Sequence, residues 1–177
     1  MGERATTPQS GIIVPVPTAT PLVRQQRLRY DPAAAANVPE HVTVLYPFLA
    51  PDKIDADTLA ALRSVFGATS PFRFTLRRTA WFGQGVLYLA PEPAAPFVAL
   101  TQRLSQAFAL LPYGGQYAEV IPHLTIAEHG PMDALTRIAA DVAGKLPVDA
   151  VAREAWVMVG HNETGWVVRD RFTFGLT

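Results

Sequence analysis

Two short segments, His41-Val42-Thr43-Val44 and His123-Leu124-Thr125-Ile126, lie about half a chain apart in a sequence of 177 residues. Each follows a proline-marked loop (Pro39, Pro122), and each alternates polar with apolar side chains, the pattern of a half-buried strand. A chain carrying two such strands in matching places is constrained to fold as two related halves, provided that the elements around them recur in the same order.

They do recur. Ile12–Val16 is a β-branched run that reads as a strand, with its prolines ending it or placing it at an edge. Thr20-Pro21 opens a helix to about Tyr30, and the strand His41–Tyr46 follows. A helix capped by Asp55 or Asp57 puts Leu59, Leu62, Val65 and Phe66 on one face and stops near Gly67. Phe72–Leu76 then alternates as a strand. The second round begins with a strand at Val86–Leu89 and a helix carrying Phe97, Leu100, Leu104, Phe108 and Leu111. The Tyr113-Gly114-Gly115 loop leads to the strand His123–Ile126, and a helix from about Asp133 carries Leu135, Ile138 and Val142. Strands at Ala155–Val159 and Trp166–Phe174, joined by a turn at Asn162–Gly165, close the chain. This reading gives a flexible lead-in over 1–10 and one domain over 11–177, with repeats at about 11–80 and 81–177.

Residues i and i+2 of a strand share a face about 7 Å apart. His41 therefore shares a face with Thr43, and His123 with Thr125, while Val42, Val44, Leu124 and Ile126 enter the core. Displacement at phosphorus needs a base on the attacking side and an acid on the leaving side. Histidine alone, with an unperturbed pKa of about 6.5, serves either role near neutrality. Threonine hydroxyls can donate to phosphate oxygens as charge builds on them. One His and one Thr from each half is the set that a pseudo-two-fold phosphodiester site would need, with no metal and no cofactor. Glu119, His123, Glu128 and His129 match no recognised metal-ligand spacing.

Taken with their surroundings, His41-Val42-Thr43-Val44-Leu45-Tyr46-Pro47-Phe48 and His123-Leu124-Thr125-Ile126 resemble the two signature motifs of the 2H phosphoesterase superfamily, which contains bacterial 2′-5′ RNA ligases and cyclic phosphodiesterases. The resemblance covers nearly the whole chain from about Gly11. It implies a bilobal α+β fold in which two pseudo-two-fold-related antiparallel sheets, with flanking helices, face a central cleft. It implies His41 and His123 as the acid–base pair, Thr43 and Thr125 as phosphate donors, and 2′,3′-cyclic phosphates or 2′-5′ linkages as substrates. A 2′-5′ RNA ligase running the reverse reaction, or a non-catalytic module that holds a phosphate or RNA end, are the alternatives.

Further residues are candidates for substrate contact. Tyr46 and Phe48 have the opposite parity to His41 and belong in the core unless a bulge follows Leu45. Trp81 and Phe82 would wall a base pocket or pack between lobes, Tyr113 and Tyr117 would border a lid, and His129 lies just beyond the second motif. Arg77 and Arg78 are adjacent in a strand, so only one of them could face the site.

Bulk properties narrow the partners. Lysine plus arginine and aspartate plus glutamate each total 15, a balance unlike that of proteins that track long nucleic acids. The expected partner is thus a small nucleotide or a short RNA end with a cyclic phosphate. No cysteine is present, which excludes disulfides and thiolate chemistry. No apolar run is long enough for a bilayer and no signal-peptide pattern opens the chain, so the expected location is the cytoplasm.

Overall fold

The computed structural model describes residues 6–175. Its elements are, in order, β1 (Gln9–Pro15), α1 (Thr20–Tyr30), the short α2 (Pro32–Ala35), β2 (His41–Leu45), α3 (Ala56–Gly67) and β3 (Phe72–Phe82), then β4 (Val86–Glu92), α4 (Ala95–Phe108), β5 (Leu124–Glu128), α5 (Met132–Ala143), β6 (Val148–Ala152), β7 (Glu154–His161) and β8 (Gly165–Thr173). Of the expected lead-in, residues 1–5 lie outside the described residues, and Gln9 and Ser10 already belong to β1.

The strands form two antiparallel four-stranded sheets, ordered β2-β1-β7-β8 and β5-β4-β3-β6. Each motif strand is the edge of its sheet and pairs with the strand that opens its half. The remaining strands cross over. β3 follows the first motif in sequence yet completes the second sheet, while β7 and β8 return to the first. The expected repeats 11–80 and 81–177 therefore do not coincide with the two sheets. β1 is an inner strand, ended and not exposed by its proline Pro15. β6, alanine-rich and only five residues long, was not among the expected strands; it is held by its pairing along Phe72–Leu76 of β3.

One buried cluster joins both sheets. Val14, Val42 and Val44 meet Leu62 and Phe66 of α3, Leu87 and Leu89 of β4, Phe97 and Leu104 of α4, and Leu124 and Ile126 of β5. Burial of this apolar surface is what holds the lobes together. The helices cross as well: α1 packs on β5 and α4 on β2, and the edge strands β2 and β5 lie against each other. Asp55 caps α3 by accepting from the Thr58 amide at 2.8 Å. Thr20 is not a cap; its hydroxyl donates to Glu40 Oε2 at 2.7 Å instead. Among the described residues, no helix is long and apolar enough to cross a membrane.

The β7–β8 hairpin has a strict requirement at Gly160, whose φ is +155°. A Cβ there would collide with the carbonyl oxygen of Gly165 and the Cα of Trp166, both backbone atoms. Gly160→Ala is expected to lower the unfolding free energy by about 2 kcal/mol or more, read from the urea midpoint.

Candidate active site

The histidines are held alike. In each, Nδ1 lies against the main-chain carbonyl two residues earlier: His41 to Pro39 at 2.7 Å and His123 to Ile121 at 2.8 Å. A carbonyl oxygen only accepts, so Nδ1 carries the proton and Nε2 keeps the free lone pair in the neutral ring.

Both motif strands carry a β-bulge at the same place. Pairing on β1 passes from Ile13–Thr43 to Ile12–Leu45, which leaves Val44 as the extra residue. Pairing on β4 passes from Tyr88–Thr125 to Leu87–Ala127, which leaves Ile126 as the extra residue. Two consecutive side chains are consequently buried in each strand, Val44 with Leu45 and Ile126 with Ala127. The Val44 carbonyl, displaced from the ladder, accepts from the Thr101 hydroxyl of α4 at 2.7 Å. A bulge of this kind turns the residues after it over to the other face. The fifth residue after each histidine, Tyr46 in one motif and Glu128 in the other, thus joins His and Thr at the cleft.

Two cavities share Tyr46 as a wall. One, of about 200 Å³, carries His41 and Thr43 together with Ile13, Val38, Met158 and Trp166. The other, of about 500 Å³, carries His123, Thr125, Glu128, Glu119, Phe82, Tyr113 and Tyr117. No lysine or arginine lines either cavity among the described residues. Arg77 and Arg78 both turn to Glu92, at 3.8 and 3.3 Å.

Aromatic rings hold the second histidine. Phe82 meets the His123 ring edge to face at 4.9 Å and stacks on Tyr88 at 4.2 Å. The loop at 112–115 is tied to β2, because the Tyr113 amide donates to the Tyr46 carbonyl at 2.6 Å. Burial pushes the Tyr113 phenol up to about 12, against the opposing pull of the Thr43 hydroxyl.

The charge environment of the two histidines differs. Burial first, then the Arg27 guanidinium and His123, push His41 down to about 4, against the opposing pull of the Pro39 carbonyl and Asp31. Burial also lowers His123, opposed by the Ile121 carbonyl. Arg27 is 1% exposed. It donates to Asp31 Oδ2 through Nε and Nη2 at 3.0 and 2.8 Å, and its Nη1 lies 3.7 Å from Glu40 Oε1 with no hydrogen-bond partner.

Of the expected site residues, His41, Thr43, His123, Thr125, Tyr46, Phe82, Tyr113 and Tyr117 all line the two cavities. Trp81 does not; it packs against the main core. His129 sits past the end of β5 with its side chain 78% exposed, 3.7 Å from Glu128, and lines neither cavity. Phe48 is buried against Phe108. Glu128, Trp166, Met158 and Asn162 line the cavities without having been expected there as substrate contacts. The Trp166 indole N–H donates to the Asn162 side-chain oxygen at 2.8 Å. Among the described residues, no group of three or more His, Asp or Glu side chains is gathered as a metal site.

Two antiparallel sheets whose motif-bearing edges meet at a cleft define a bilobal α+β protein of the 2H phosphoesterase type. The chain belongs to the 2′-5′ RNA ligase superfamily, whose family model matches residues 14–164. Among its relatives, a protein of Bacillus pumilus named as a phosphoesterase is 27% identical over 93% of this chain and 95% of its own length. One of Bacillus cytotoxicus, named likewise, is 31% identical over 84% and 86%. Escherichia coli LigT, crystallised with 3′-AMP, shares the fold at a TM-score of 0.60 and 19% identity, over 94% of this chain and 98% of that one. A protein of Thermus thermophilus does so at 0.62 and 18%, over the same shares.

Proposed function

We propose that this chain is a phosphodiesterase that opens 2′,3′-cyclic phosphates or cleaves 2′-5′-linked nucleotides, using His41 and His123 as an acid–base pair. One imidazole Nε2 takes the proton of the attacking water as its oxygen bonds to phosphorus. The other, protonated, gives its proton to the departing ribose oxygen as the P–O bond breaks. Thr43 and Thr125 donate to the non-bridging oxygens. The observation that carries this reading is the matched tethering of both rings through Nδ1, which leaves one Nε2 in each cavity to handle protons. Nucleotide-sized ligands fit the same reading, since LigT crystals hold 3′-AMP, ATP and NADP+. Ligation would use the same site with a 5′-hydroxyl in place of water: one histidine takes its proton as its oxygen bonds to phosphorus, and the other protonates the departing 3′-oxygen of the cyclic phosphate. With no lysine or arginine among the described lining residues, the site favours small substrates over long RNA ends.

The test is release of phosphate monoester from a panel of nucleoside 2′,3′-cyclic phosphates and 2′-5′ dinucleotides in EDTA. Turnover lowered by about 10²–10⁴-fold in His41→Ala or His123→Ala is the expected result. Retained nucleotide binding without turnover on any of them would identify a binding module instead. Thr125→Val should lower kcat by about 10²-fold with little change in KM, because its donor strengthens only as charge develops.

A further inference from the structure

The pseudo-two-fold symmetry of the cleft breaks at one pair of equivalent positions. Tyr46 and Glu128 are both the fifth residue after a motif histidine, and both are turned into the cleft by a bulge. Apart from His41, Thr43 and Asn162, the His41 cavity is walled by apolar and aromatic groups, and it has no carboxylate among the described residues. The larger His123 cavity has two, Glu128 and Glu119, set among the rings of Phe82, Tyr113 and Tyr117.

The position of Glu128 is not that of an ordinary surface carboxylate. Strand alternation alone would point it away from Thr125, and the extra residue Ile126 reverses this. Burial, and then the negative charge of Asp31, raise its carboxyl above the usual range, and the His129 ring 3.7 Å away offsets this only in part. A half-buried carboxylate in that condition gains from a cation brought beside it. Aromatic residues line the same cavity, and a cation placed over a ring face is attracted by the ring's quadrupole. A second phosphate would meet two carboxylates and no lysine or arginine among the lining residues.

Resting on the phosphodiesterase reading above, we propose that the His123 cavity selects the substituent on its side of the phosphate for positive charge, with Glu128 and Glu119 as the recognising groups, while the apolar His41 cavity takes the nucleoside. The preferred substrate is then a nucleoside phosphodiester whose other ester group bears an ammonium-like cation.

Three esters of adenosine 2′-phosphate that differ only in that group test this: aminoethyl (cationic), ethyl (neutral) and carboxymethyl (anionic). The wild-type protein should prefer aminoethyl over carboxymethyl by about tenfold or more in kcat/KM, with ethyl between them. Glu128→Gln and Glu119→Gln together should bring the ratio of the two charged esters to within about threefold. Equal rates in the wild type, a preference for ethyl over aminoethyl, or a ratio that survives both substitutions would overturn the proposal. Dissociation constants for the same esters, measured by calorimetry on wild type and the double variant, give the same ranking independently of turnover. Absence of cleavage would therefore count against the phosphodiesterase reading, and an unranked set of affinities against the cation-selecting cavity.

Discussion

Alanine at either His41 or His123 is expected to lower kcat/KM on the preferred phosphodiester by 10²–10⁴-fold, the range typical of one positioned proton-transfer group. The double variant should lose much less than the product of the two, because a base without its acid partner assists little. The pH profile should carry the asymmetry of the two rings. Catalysis needs one imidazole neutral and one protonated. Both rings are depressed below their ordinary value, His41 to about 4, so the singly protonated pair is most abundant on the acid side of pH 6.5. The kcat/KM bell should therefore peak below pH 6.5, with His41 setting the acidic limb, whichever ring acts as base. A bound phosphate anion favours imidazolium, so the kcat profile should move toward higher pH than the kcat/KM profile. Initial rates on one substrate between pH 4 and 9, at low and at saturating concentration, separate the two curves. A kcat/KM optimum above pH 7.5 would contradict the assignment.

Parity along the two motif strands was enough to place His41, Thr43, His123 and Thr125 on cleft faces, because a strand has only two faces and the alternate residues are apolar. The same parity misplaces Tyr46 and Glu128, since one extra residue in each strand inverts everything after it. The signal was present as two adjacent apolar residues, Val44-Leu45 and Ile126-Ala127, where alternation would supply one. Local pattern also cannot say which sheet a strand joins. β3 reads equally well in either, and its place beside β4 is fixed by pairing from Thr75 to Phe82. Arg27 was illegible for another reason: an arginine four residues before an aspartate on a helix looks like an exposed i,i+4 pair. Its burial follows only from how α1 packs into the fold, against β5 above all.

That burial sets the second large expected effect. Arg27→Met should lower stability by about 3–5 kcal/mol, far more than loss of a surface ion pair, because it strands the carboxylates of Asp31 and Glu40, each 3% exposed, without their cation. For a chain of this length the melting temperature should fall by about 10 °C. Glu40 would keep the Thr20 hydroxyl at 2.7 Å and the exposed Arg24 at 3.8 Å, and Asp31 would keep the Ala33 amide at 3.0 Å. These contacts satisfy some lone pairs, but the solvent-exposed Arg24 compensates little of the buried charge. Adding Asp31→Asn and Glu40→Gln to Arg27→Met should accordingly restore part of the loss, although more hydrogen bonds have been altered. The substitution should also register at the active site without direct contact with substrate. Arg27 is the positive charge that helps push His41 down, and once it is gone the upward pull of Asp31 and the Pro39 carbonyl is opposed only by burial and His123. The acidic limb of kcat/KM should then move to higher pH in Arg27→Met, measured well below its melting temperature, and stay near the wild-type position in Arg27→Lys, which keeps the charge. A loss of stability with an unmoved limb would confine Arg27 to holding α1 against the motif strands. A limb that moves in Met and not in Lys would tie the buried cation to the protonation of His41.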